Sequence, residues 1–357
     1  MALTDRLLRR LAAVAIAGLL AGCGAVMVAT DPAPVAASST EPVLKAFAMD
    51  RALEERILAL DPDRVTPTDV RDTLAKAPAP RIILLHGGVY PVHLAMTSFA
   101  HFLIGMGYPE ERIKHPGDDR WSHSPYEPSE RVAGMVAWFY EREGVRPMLI
   151  GHSQGGMQAI KILHDLAGTF GASLPVWNPV SERPEARTAI VDPITGRDLP
   201  VVGNKVSYAS AVGAGGPSGV LPNQWAVITR IREIPDTTVQ FDGFFIGIDW
   251  FAMTFTDTGV PRFTNASGNV VVRNVVLPAG YLHVTVPTTH HLAGNPQFRG
   301  FIDSYRPTGE RPDETTMPGS YSDNVLYAAE NWFMIRRHWT LEAQRFVRAR
   351  RALLAGG

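Results

Sequence analysis

Two short apolar runs, Arg81-Ile82-Ile83-Leu84-Leu85 and Pro147-Met148-Leu149-Ile150, constrain this chain more than any other feature. Neither alternates polar with apolar residues, and each stops abruptly, the first at His86-Gly87-Gly88 and the second at Gly151. Runs of this kind suit strands buried on both faces. Helical periodicity lies around them, at about Ala95 to Met106, over Glu130 to Glu143 before Gly144 breaks the chain, and over Gln158 to Leu166. Strands alternating with helices predict an α/β fold, a mostly parallel central sheet covered by helices on both faces.

Further along, Lys205 to Val212 and Val239 to Ile248 are predicted as sheet strands, and His283 to Val286 alternates in the same way. Asn269 to Leu277 is predicted as a strand-like, hairpin-like insertion. Frequent Pro, Gly and Asp point to a loop or cap over 168–203, with a second insertion over 213–238. Leu44 to Leu60 has helical spacing and is expected to pack on the domain edge, with Pro62 and Pro67 ending it. Asn331 to Leu354 is expected as a last amphipathic covering helix. One domain is thus placed over 42–357.

The N-terminus has a different character. Arg6, Arg9 and Arg10 precede an apolar run from Leu11 to Leu20, and Ala21 and Gly22 lead into Cys23, the only cysteine of the chain. This is the layout of an export signal. Leu-Ala-Gly before Cys23 resembles a bacterial lipobox, which implies cleavage after residue 22 and a lipid on the Cys23 sulfur. Residues 23–41, rich in Ala, Pro, Ser and Thr, form the expected tether. The expected location is then the bacterial cell envelope, with the N-terminal lipid in a membrane. Gly24 favours the outer membrane if the envelope is Gram-negative. An uncleaved helix over Leu11 to Ala29 is the alternative; both place the folded part outside the cytoplasm.

The 357 residues are 45% hydrophobic and carry a formal net charge of -1, with both signs mixed along the chain. That is ample core material and no basic face, so nucleic acid is not expected as a partner. No metal-ligand cluster or nucleotide-binding loop is evident, and no cofactor is expected.

Gly151-His152-Ser153-Gln154-Gly155 matches G-x-S-x-G between a predicted strand and a predicted helix. In such a turn the serine is presented at a sharp bend, and a side chain at either glycine would collide with neighbouring backbone. The free N–H groups and positive dipole end of the following helix face the place where an oxyanion would form. A serine hydroxyl is a poor nucleophile at neutral pH and needs a base, for which imidazole has the suitable pKa.

From about Arg81 to Leu166, and again around His291, the chain resembles the α/β-hydrolase superfamily, especially its bacterial esterases and lipases. The resemblance implies a serine nucleophile at Ser153 and an oxyanion hole from the backbone N–H groups of Gln154 and Gly88, with Val89 as the alternative to Gly88. His86 would shape that loop. The superfamily order of serine, acid, histidine leaves the segment His283 to Pro296, which looks like the end of the last lipase strand and places the base at His291, with His290 as the alternative. Asp236, Asp242, Asp249 and Asp257 are the candidate acids. Asp249 is preferred because it follows the apolar Phe244 to Ile248, and Asp242 comes second. The interval from Asp249 to His291 is long for this family, and the predicted insertion around Asn265 to Leu277 would absorb it.

The resemblance thus implies a carboxylic ester hydrolase acting on a small-molecule ester. A non-catalytic surface lipoprotein on the same fold, or an amidase or acyltransferase, are the other readings. Trp177, Pro217 and Trp225 are candidates to line an acyl pocket. No long amphipathic lid is evident, which favours a short or medium acyl ester.

Overall fold

The computed structural model describes residues 43–216, 219, 221–252 and 262–355. They belong to a compact unit that runs Ser38–Gly357. The expected signal, Cys23 and the tether lie outside the described residues, as do Pro217 and Asp257. No helix among the described residues is long and apolar enough to cross a membrane.

The centre is a five-stranded, wholly parallel sheet: β1 (Ile82–Leu85), β2 (Met148–His152), β3 (Tyr208–Val212), β4 (Gln240–Ile246) and β5 (Val271–Leu277), adjacent in that order. Successive side chains of a strand point to opposite faces, and two cores follow from this. Ile82, Leu84, Met148, Ile150, Phe244, Val275 and Leu277 belong to one. Ile83, Leu85, Leu149, Ala209, Phe241 and Phe245 belong to the other. The sheet is therefore the two-faced kind expected from the unbroken apolar runs.

Helix α1 (Val43–Ala46) packs Leu44 with Val145 and Phe346 in a small cluster of its own; the first face is covered by α2 (Arg51–Ala59), α3 (Pro67–Asp72), α4 (Tyr90–Gly105) and the C-terminal helix, while α5 (Ser129–Glu143) and α6 (Gln154–Leu166) cover the second. Two short helices, α7 (His290–Gly294) and α8 (Pro296–Ser304), lead to the C-terminal α9 (Val325–Ala355).

Local chemistry explains where these helices depart from expectation. The predicted helix over Leu44 to Leu60 is two helices, because the Asp50 carboxylate accepts from Leu53 N at 2.6 Å and caps a fresh start. Pro67, expected as a terminator, is the first residue of α3, behind a capping box between Thr66 and Asp69. Helices α4, α6 and α9 each begin several residues earlier than their apolar spacing indicates.

Two corrections concern the strands. Val271–Leu277 is no insertion but the fifth strand of the sheet, paired parallel with β4 from Val271↔Gln240 to Leu277↔Ile246. His283 to Val286, expected to be a strand, is a turn, in which Val286 N donates to Leu282 O at 3.0 Å. Alternation over four residues is too short a signal to separate the two.

The region 168–203 forms two antiparallel ribbons, Trp177–Asn178 with Arg183–Pro184 and Ala189–Val191 with Asp198–Pro200. They lie against α5, tied by the Arg187 guanidinium to both oxygens of Glu141 at 2.6 Å each. Trp177 packs there beside Gly134 and under the Arg131 guanidinium.

Candidate active site

The five parallel strands present their carboxyl ends on one edge, where an open α/β sheet places its ligand crevice. Ser153 follows β2 there as the residue preceding α6, with φ 56° and ψ -123°. A non-glycine residue held at positive φ costs on the order of 1–3 kcal/mol and persists only where its surroundings enforce it. The neighbours do so. Ser153 N donates to Val212 O at 2.8 Å. A Cβ at Gly151 would meet the Gly155 backbone, and one at Gly155 would meet the carbonyls of Leu85 and His86. Both motif glycines are therefore required by close backbone approach.

His283 Nε2 lies 2.9 Å from Ser153 Oγ, and His283 Nδ1 lies 2.7 Å from Asp249 Oδ2. The carboxylate can only accept, so Nδ1 carries the proton and Nε2 is left to accept from the serine hydroxyl. Asp249 comes two residues beyond Gly247, where β4 has ended, and its side chain is fully buried. Its other oxygen accepts from the N–H groups of Phe251 at 2.9 Å and Ala252 at 3.0 Å, which aims the carboxylate at the imidazole. The Phe251 ring stacks on His283 with centroids 5.1 Å apart, and Gly213 covers another side, where a Cβ would come within 2.7 Å of the imidazole.

The expected base is thereby corrected. His291 sits in α7, half exposed, with Nε2 3.4 Å from Asp323 Oδ1 and its ring edge-on to Phe298. His290 Nδ1 pairs with Ser98 Oγ at 2.9 Å. Neither reaches Ser153, because the last strand ends at Leu277 and the chain passes the serine at His283 before it enters α7. The interval behind Asp249 is still 34 positions at His283, and it holds the sheet strand β5 in place of the expected insertion.

The other carboxylates have different partners. Asp242 lies within β4, bound to Arg273 at 2.8 Å and to Gln240 Nε2 at 2.9 Å, and burial pushes it up to about 6 against the Arg273 charge. Asp236 pairs with Lys205 at 3.0 Å.

His152, the second residue of the motif, is buried, and its Nε2–H donates to the backbone carbonyl of His283 at 2.7 Å. Burial holds its imidazole well below the usual histidine range, so it stays neutral. This contact, which restrains the turn carrying His283, has no signal in the sequence beyond the residue's place in the motif.

Gly88 and Gln154 are brought together as expected: a Cβ on Gly88 would collide with the Gln154 side chain, and one on Gly87 would come within 3.0 Å of Ser153 Cβ. Two hydrogen bonds set the peptide planes on either side of Gly88. His86 Nδ1–H donates to Gly87 O at 2.7 Å. A trans peptide then turns the Gly88 N–H away from His86. Tyr126 OH donates to Gly88 O at 3.2 Å. Tyr126 itself stands on a turn anchored by His123 Nδ1 and Glu127 Oε2, 3.1 Å apart. Burial raises Glu127, yet the hydrogen bond and charge of His123, with Arg120 and Arg131, hold it down at about 2.

Among the described residues, no group of three or more His, Cys, Asp or Glu side chains is placed to hold a metal ion. The arrangement offers a hydroxyl with an acceptor nitrogen on one side and a helix N-terminus on the other.

No family model matches the chain. No curated protein matches it significantly. A solved structure described as RedJ with a PEG molecule bound in the active site overlaps 76% of this chain and 94% of its own, at 14% identity and a TM-score of 0.28. A likeness that loose carries no weight for fold or chemistry.

Proposed function

We propose that the protein is a serine hydrolase of the α/β-hydrolase fold that cleaves a carboxylic ester through an acyl-enzyme on Ser153. The observation that carries this reading is the continuous hydrogen-bonded line from Ser153 Oγ through both nitrogens of His283 to Asp249. A structural histidine has no need of a serine held at positive φ on one side and a backbone-capped carboxylate on the other.

In the proposed reaction His283 Nε2 takes the Ser153 proton as Oγ attacks the ester carbonyl. The Gln154 and Gly88 N–H groups receive the oxyanion, a role in which one donor is worth about 3 kcal/mol. The imidazolium, stabilised by Asp249, then protonates the departing alcohol, and the acyl group stays on Oγ. Water repeats the sequence, giving its proton to His283 and its oxygen to the acyl carbon, and Ser153 is regenerated with release of the acid. Every proton step uses groups of this chain.

The N-terminal reading is part of the same proposal: export, with Cys23 lipidated and the domain tethered to the membrane of a bacterial envelope. Cys23→Ser is expected to leave an unprocessed precursor without lipid.

A fluorophosphonate probe and a chromogenic ester test the chemistry. Labelling and turnover are expected for the parent and absent in Ser153→Ala. An unlabelled, inactive parent that is folded overturns the proposal.

A further inference from the structure

The exposed Phe, Trp and Tyr side chains among the described residues are Tyr90, Tyr126, Trp225, Trp250, Phe251 and Tyr321. All but Tyr321 stand on segments that carry the site. Tyr90 closely follows Gly88, and Tyr126 donates to the Gly88 carbonyl. Trp250 and Phe251 directly follow Asp249. Trp225 belongs to a segment tied to the turn of Tyr126, where Asn223 Nδ2 donates to Pro125 O at 3.0 Å. Single exposed aromatics are ordinary, but a set gathered around one crevice bears on what the crevice receives.

Two of these rings are held in fixed planes. Tyr90 lies over the His93 imidazole, with centroids 6.0 Å apart and planes 19° from parallel, and is 72% exposed. Phe251 lies over His283 at 5.1 Å and 27°, and is 63% exposed. With one face backed by an imidazole and most of the side chain open, each ring is oriented before a ligand arrives.

Next to the nucleophile is an amide that lacks a partner. Gln154 is 6% exposed, and its Oε1 is buried without a hydrogen-bond partner among the described residues. It adjoins the Gly88 α-carbon, where a Cβ would run into Gln154 Oε1 and lie 2.9 Å from Tyr126 OH. A buried amide oxygen left unpaired costs about 1–3 kcal/mol. A hydroxyl both donates and accepts, so one placed over Gly88 satisfies either end of the amide and can accept from Tyr126 as well. The charges under Tyr126 are already engaged: Glu127 Oε2 lies 3.1 Å from His123 Nδ1 and 3.6 Å from Arg120 Nη2. Neither that carboxylate nor that guanidinium is left for a ligand ion.

We infer that the ester cleaved is an O-acyl carbohydrate, whose sugar ring stacks on the aromatic rim while one of its hydroxyls pairs with the Gln154 amide. The inference rests on the hydrolase reading above and adds to it the class of alcohol. A pyranose presents apolar C–H faces and an edge of hydroxyls, and so uses the flat rings and the amide together. An alkyl or aryl ester covers the rings but leaves Gln154 Oε1 unpaired.

Acid release from glucose acetylated at its primary hydroxyl, from cyclohexylmethyl acetate and from benzyl acetate is measured on the full-length protein, with p-nitrophenyl acetate as the reference ester. The kcat/KM for the sugar ester is expected to exceed that for either ring without hydroxyls by about a hundredfold or more, since a site built to bind a substrate hydroxyl rejects the analogue that lacks it. Tyr90→Ala is expected to lower the ratio of sugar-ester to reference turnover about fivefold. Gln154→Met, which keeps the backbone N–H and removes the amide, is expected to lower the same ratio about tenfold. Equal or higher kcat/KM for cyclohexylmethyl or benzyl acetate, or a ratio unmoved in either variant, overturns the inference. Fluorophosphonate labelling separates the two levels: labelling and p-nitrophenyl acetate turnover without a preference for the sugar ester sink the inference alone, whereas loss of labelling and of all turnover sinks the hydrolase reading as well.

Discussion

Ser153 Oγ and His283 Nε2 are 2.9 Å apart although 130 positions separate the two residues, and the serine reaches this distance only in a backbone conformation that side chains rarely adopt. The pair defines the proposed catalytic line more narrowly than either residue does. His283→Ala is expected to lower kcat on the order of 10⁴-fold or more, with the fold retained. His291→Ala, which removes the contacts to Asp323 and Phe298 and none to Ser153, is expected to leave turnover near that of the parent. Steady-state kinetics on both variants checks the assignment, and the opposite ranking would return the base to His291.

His152 donates to the carbonyl of the residue proposed as base, so its effect should appear in turnover. His152→Phe keeps much of the ring volume and removes the donor. One hydrogen bond of this kind is worth about 1 kcal/mol, so kcat is expected to fall roughly fivefold while KM changes little. A loss of thermal stability with kcat intact would mean that the bond serves the fold alone.

Gly213 adopts φ +62°, and a Cβ there would meet the His283 ring at 2.7 Å and 2.9 Å. Gly213→Ala therefore strains the backbone modestly and pushes directly on the imidazole. A displacement of about 1 Å costs roughly a hundredfold in rate. Activity is expected to fall far more than the melting temperature, and kinetics paired with thermal melts measures both.

Asp165 on α6 gives a dependence of stability on pH. Burial pushes its carboxyl from 3.8 up to about 7, against the smaller opposing effects of Ser129 and Lys161. Between those values the folded chain keeps a proton that the unfolded chain has released, so stability is highest at the acid end and falls as pH rises through about 7. Asp165→Asn removes the ionisation. The variant is expected to match the parent near pH 4 and to exceed it at pH 8 by about 4 kcal/mol. Denaturant melts at the two pH values check it; equal gains at both would rule out titration of Asp165 as the cause.

Much of the architecture was legible because it follows from local patterns. Unbroken apolar runs at Ile82–Leu85 and Met148–Ile150, each bounded by glycine, suit strands covered on both sides, and the glycines beside Ser153 announce a turn that tolerates no Cβ. Asp249 was found because an acid just beyond an apolar strand lies at the sheet's carboxyl edge.

The histidine was not legible, and the reason is physical. Val271-Val272-Arg273-Asn274-Val275-Val276-Leu277 carries polar residues amid its apolar ones and resembles an exposed hairpin. It becomes a sheet strand because Arg273 finds Asp242 at 2.8 Å and Glu330 at 3.0 Å, partners that only the folded chain supplies. Once that strand is placed, the loop leaving it passes Ser153 at His283, eight residues before His291. The amino-acid sequence by itself determined the kind of sheet and the serine turn, and it favoured the carboxylate that lies at the sheet's carboxyl edge. Tertiary structure decided which imidazole meets them, because local periodicity cannot report a contact made across 130 positions by a buried ion pair and a turn.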